Sequence, residues 1–195
     1  MTKHHILISG AALLAIVTGV RDAGAGHHPD DAAALIVDAT LIKPLGEEGR
    51  VGESVGAGGE LRFLPDDEIA TISIGGYGAI GRPSRDKTLR DIYDLHFNAG
   101  LKWERSHGRI LIPYATLGLD VLYMTTHEQG ADGAAARTLR GSTLGVNAQL
   151  GVLGHLGDGF VYRVSATYLG AVVPGTGDDL GGLVLQLGVG KTMGD

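Results

Sequence analysis

No cysteine occurs among the 195 residues. That excludes a disulfide framework, thiolate metal sites and a lipid-modified N-terminal cysteine. Aromatic residues are scarce at 5% of the chain, which argues against a large soluble aromatic core. Positive charge is in the minority, 16 Lys and Arg against 22 Asp and Glu, for a formal net charge of −6. An acidic chain of this kind is a poor nucleic-acid binder. Long apolar runs are also lacking, save Ile6–Val20 near the N-terminus. That run is shorter than the roughly 20 residues of a spanning helix. It follows the short polar start Lys3, His4 and His5 and precedes the small-x-small triplet Ala23-Gly24-Ala25. Residues 1–25 therefore read as a cleavable export signal helix and 26–32 as an N-terminal leader. Later apolar runs are broken by charges or glycines within about ten residues, too soon for a helical span. An exported chain without a second helical span is either soluble or a closed barrel.

What is present is glycine, 33 residues without the every-third rule of collagen, and an alternating pattern. In Tyr93–Arg105 one parity is Tyr93, Leu95, Phe97, Ala99, Leu101 and Trp103. The other is Asp94, His96, Asn98, Gly100, Lys102 and Glu104. Period two means a strand, because successive side chains leave opposite faces of the pleat. One face is wholly apolar with an aromatic at each end; the other is too charged for a dry core. Such a strand suits a barrel wall with lipid outside and a polar lumen inside. Tyr93 to Trp103 spans about 33 Å along a strand. Tilted by about 40°, that projects to roughly 25 Å, the height of the apolar band of a membrane barrel.

Seven further segments alternate in the same way: Ala33–Lys43, Val51–Leu64, Glu68–Gly81, Arg109–Thr126, Leu139–Leu153, Phe160–Val173 and Leu183–Met193. Pro113 interrupts the fifth segment of the chain, where a bulge near the strand start would absorb its missing donor. The connections alternate in length. Pro44–Arg50, Arg82–Arg90, His127–Thr138 and Pro174–Gly182 are the longer set. Pro65–Asp67, Ser106–Gly108 and Gly154–Gly159 are the shorter set. The expected fold is an all-β, eight-stranded antiparallel up-and-down transmembrane barrel over residues 33–195, with short turns on the periplasmic side and longer outer loops.

Eight strands leave an interior just wide enough to be filled by side chains. The expected polar lumen comprises Asp38, Glu60, Arg62, Asp94, His96, Lys102, Glu104, Asp120, Asn147, Gln149, Arg163 and Gln186. These charges should pair, because an unpaired buried charge is costly. Tyr93, Trp103, Tyr123, Tyr162 and Tyr168 are candidates for the aromatic girdles at the two membrane interfaces.

Sharper chemistry finds little support. His28 would stand third in the mature chain, where an amine, two amides and an imidazole bind Cu(II) or Ni(II), but a solvated, disordered leader is the favoured reading. Asp30-Asp31 and Asp178-Asp179 read as cation-collecting or simply solvated loops. His127 and His155 sit by loops and Ser106 adjoins His107, with no spacing that joins them into a triad and no GxSxG elbow. The strings Gly75-Gly76-Tyr77-Gly78 and Gly56-Ala57-Gly58-Gly59 lie inside strands, so they fail the context of a phosphate loop. Neither an enzyme nor a cofactor is implied.

Signal, eight amphipathic strands, alternating connections and polar lumen together resemble the small Gram-negative outer-membrane β-barrels, the group of the OmpA transmembrane domain, OmpX and OmpW. The resemblance covers about Ala33–Met193 and rests on pattern. It implies residence in the outer membrane among lipid and lipopolysaccharide, insertion by the barrel-assembly machinery, and a monomer. One departure is the C-terminal Lys191-Thr192-Met193-Gly194-Asp195, which lacks the terminal aromatic of that group. Three functions stay open: a structural or interaction barrel with a filled lumen, a narrow pore for ions or small solutes, and a soluble lipocalin-like periplasmic carrier with the alternation turned inside out.

Overall fold

The computed structural model describes residues 31–45, 52–65, 69–82, 88–103, 111–128, 137–171 and 181–193. The export signal, His28, Glu104 and the Asp178-Asp179 pair lie outside the described residues. Eight strands follow in order: β1 (Asp31–Pro44), β2 (Ser54–Pro65), β3 (Ala70–Gly81), β4 (Thr88–Lys102), β5 (Leu111–Glu128), β6 (Arg137–Gly157), β7 (Phe160–Ala171) and β8 (Gly182–Met193). Each pairs antiparallel with its chain neighbour, and β8 returns to pair with β1 from Ala33↔Met193 to Pro44↔Gly182. The sheet is a closed barrel without an edge, the arrangement that leaves no unpaired ladder along its wall.

The wall has the polarity that the alternation demands. In β4, Leu95, Phe97 and Leu101 point outward at 57%, 50% and 47% exposure, while Asp94 and Lys102 point inward at 7% and 1%. The inside-out carrier requires the reverse, with apolar side chains lining a cavity, so that alternative is corrected. No Asp, Glu, Lys or Arg stands at the outward positions of the central belt, such as Leu35 to Leu41, Leu117 to Val121, Leu144 to Leu150 and Leu185 to Val189.

Three details differ from the alternation. First, β4 begins at Thr88, five residues before Tyr93. There the polarity inverts: Ile92 is buried inside, and Asp91 takes the outward parity. Second, Pro113 causes no bulge. The β5–β6 register runs unbroken through Pro113↔Val152. The Pro113 carbonyl accepts from the Trp103 amide on the β4 side. In an antiparallel ladder a residue's nitrogen points the same way as its carbonyl. The missing donor therefore lies past Lys102, where the β4–β5 ladder has ended. Third, β6 and β7 are joined by Asp158-Gly159 alone, with φ of 51° and 74°. Both central residues are left-handed, as in the type I′ turn that matches strand twist. The register shift between His155 and Gly157 supplies the bulge leading into it.

The inward face is layered. At the turn end Ala34, Ile36, Leu64, Ile112, Leu153 and Val161 form one buried apolar cluster. At the loop end Ile42, Tyr77, Ala79, Ile92, Leu122, Met124, Leu169, Ala171 and Val184 form another. The ionic cluster of Asp38, Glu60, Arg62, Asp94, His96, Asp120 and Arg163 lies between the two, with buried Arg90 toward the loop end and Lys102 toward the turn end of β4.

Candidate functional site: the polar lumen

Seven strands contribute to one polar cluster because its members share the inward parity. Arg163 of β7 sits at the centre. Its Nε donates to Asp38 Oδ1 at 3.1 Å and its Nη2 to Asp38 Oδ2, while Nη1 pairs with Glu60 Oε2. Arg62 of β2 donates from Nε to Glu60 Oε1 at 2.7 Å and from Nη2 across the barrel to Gln149 Oε1 at 2.8 Å. The Arg62 guanidinium also lies 3.8 Å from the centre of the Tyr114 ring, a cation–π contact strengthened by the burial of both groups. Both arginines and both acids are buried. Charge-assisted, partly bidentate bonds of this kind offset the large cost of removing four charges from water.

A chain of neutral groups extends this centre. Gln149 Nε2 donates to Gln186 Oε1 at 3.4 Å, and Ser165 donates to the same oxygen at 3.3 Å. On the other flank His96 Nδ1 lies 2.6 Å from Asp94 Oδ2, and His96 Nε2 lies 3.6 Å from Glu60 Oε2. Asn147 Nδ2 donates to both oxygens of Asp120 at 3.0 and 2.9 Å. β3 contributes space: a Cβ on Gly75 would stand 2.7 Å from His96 Nε2.

Of the twelve lumen residues expected from sequence, Glu104 lies outside the described residues and the other eleven are buried on the inward face. Lys102 stands near the turn end of β4, and the other ten belong to the bonded cluster. Tyr114 and Ser165 belong to it as well; alternation places both on the inward parity, with Asp120 and Arg163 respectively, and only their part in the polar network was outside the expectation. The two apolar layers were missed altogether. Ile36, Ile112, Leu122, Leu153 and Val184 share the lumen parity, but their chemistry resembles that of the outer face.

The aromatic candidates fall toward opposite ends of their strands. Tyr93, Tyr123 and Tyr168 stand toward the loop end, and Tyr93 faces Tyr123 in register with ring centres 6.3 Å apart. Trp103 and Tyr162 stand toward the turn end, joined by the outward Phe63 and Phe160, which the sequence reading left out.

No protein-family model matches the sequence, and no curated protein sequence matches it. Solved structures do share its fold. Neisserial surface protein A aligns over 85% of this chain and 97% of its own, with a TM-score of 0.54 at 9% identity. Ail, the attachment invasion locus protein of Yersinia pestis, aligns over 86% of this chain and 100% of its own, at 0.53 and 14%. A major outer membrane protein from Thermus thermophilus aligns over 83% of this chain and 99% of its own, at 0.56 and 12%. At such identities the likeness is one of architecture: this chain has the fold of the small eight-stranded outer-membrane β-barrels.

Proposed function

We propose that the protein resides in the outer membrane as a barrel whose interior is a structural core and whose function lies at its loops, in envelope integrity or surface contact. The observation that carries this reading is the layering of the barrel. An outward belt of exposed Leu, Ile, Val and Phe free of charge is unstable in water and at home in hydrocarbon. Inside, a bonded ionic cluster lies between two apolar layers. Ions move through water-lined paths, and a layer that buries Leu122, Met124, Leu169 and Val184 together offers none. In this reading the outer shell is lipid and lipopolysaccharide, the barrel-assembly machinery inserts the chain, and the protein is a monomer.

Two measurements test it together. Membrane fractionation should place the protein with outer membranes, and it should migrate faster on a gel unheated than boiled. Recovery in the soluble periplasmic fraction overturns the membrane reading. Reconstituted in planar bilayers, the protein should give no reproducible conductance steps; regular steps would favour the pore instead.

A further inference from the structure

We propose that the lumen contains a binding site for one divalent transition cation of the Zn2+ type, held by Asp94, His96 and Asp120. The strand geometry brings these three together. Asp94 and His96 are two residues apart on β4 and so share the inward face. Asp120 is the residue directly opposite His96 in the β4–β5 register. One ligand atom from each lies within 4.8 Å of the others, a spacing that a single cation can bridge. Gly75 stands opposite His96 on β3 and Gly145 opposite Asp120 on β6, so both flanking strands leave room.

Four independent observations point to an occupant. First, the three side chains border a small cavity with space for about one water-sized particle. Second, the cavity wall holds buried oxygens without partners. Asn98 is 1% exposed and its Oδ1 has no hydrogen-bond partner; Asp94 Oδ1 and Asn147 Oδ1 are likewise buried without one. A buried carboxylate or amide oxygen with no donor is costly, and a cation relieves it. Third, the two arginines at the centre of the lumen serve other acids, Arg62 pairing with Glu60 and Arg163 with Glu60 and Asp38. Fourth, the surroundings orient the ligands. His96 Nδ1 and Asp94 Oδ2 lie 2.6 Å apart, a contact that requires a proton between them, and a cation bound there takes that proton's place. Asn147 holds both oxygens of Asp120. One imidazole and two carboxylates form a mixed nitrogen–oxygen set that suits Zn2+ and its first-row neighbours over Ca2+.

The apolar layers bar entry to the folded lumen, so metal is supplied during refolding. The full chain is refolded from urea into detergent micelles with Zn2+, passed over chelating resin, and assayed by elemental analysis. About one Zn2+ per folded chain is expected. Asp120→Asn should lower this by more than roughly tenfold, because losing a ligand costs at least what losing an outer partner does. Unheated gel migration confirms that the variant has folded. Refolding the unaltered chain with Co2+ requires no variant and should produce visible d–d absorption that the chain refolded with Zn2+ lacks. Absence of both bound Zn2+ and the Co2+ spectrum in the unaltered chain overturns the proposal, the result that a proton shared among the three groups would give. Equal metal content in the unaltered chain and in folded Asp120→Asn overturns it too.

Discussion

Arg163 shows how much a single side chain is asked to do in this lumen. It is buried and bonds two acids on two other strands, so removing either acid's charge takes away one of the two counter-charges that stand in for its water. Asp38→Asn should therefore cost about 3–5 kcal/mol, the cost of breaking a buried ion pair from one side. Urea unfolding in micelles, followed through the one tryptophan, Trp103, checks the figure. Gly188 is tied to the same pair. A Cβ there would run into Asp38 Oδ1 and stand 2.7 Å from Ile36 Cγ2. Gly188→Ala should destabilise by about 1–3 kcal/mol through overpacking, seen in the same titration. The need for glycine at this position was not legible in the sequence. Gly188 alternates with apolar residues like any inward position, and only the closed barrel brings Asp38 opposite it.

At the level of the strand, the period-two pattern carries over to the structure wherever one face is lipid and the other ionic. β4 from Tyr93 to Lys102 and β5 from Pro113 to Val121 are such stretches. It fails where the interior turns apolar. Ile92 and Asp91 reverse the sense of β4, so alternation alone placed the strand start too late. Membrane depth supplies a test of each wall. Phe97→Arg, near the middle of the belt, should cost about 2–4 kcal/mol, and Tyr93→Arg, at the interface, about 0–1 kcal/mol. Refolding equilibria in lipid vesicles measure both, and equal costs would remove the depth gradient. The hairpin between β6 and β7 is a local case. Gly159 has φ of 74°, a backbone that disfavours any Cβ. Gly159→Ala should cost about 1–2 kcal/mol in the same assay.

For the molecule as a whole, the sequence carried the architecture but not the organisation of its interior. Polar parity identified ten described members of the bonded cluster, because charge is conspicuous against an apolar background. It could not say that His96 and Asp120 would face each other, since that depends on the β4–β5 register. Nor could it show the two buried apolar clusters inside the barrel, which arise from residues such as Ile36 and Leu122 that pattern alone assigns to no particular layer.

The pairing of β8 with β1 joins the first strand of the barrel to the last. Arg163 on β7 reaches Asp38 on β1 and Glu60 on β2, so its guanidinium straddles that seam from within. A cylinder whose halves have not yet met has nowhere to place this cation except in water. The final zippering of the wall and the desolvation of Arg163 are thus one event, and the buckle that fastens the seam is also what makes a half-open barrel distinguishable from a finished one.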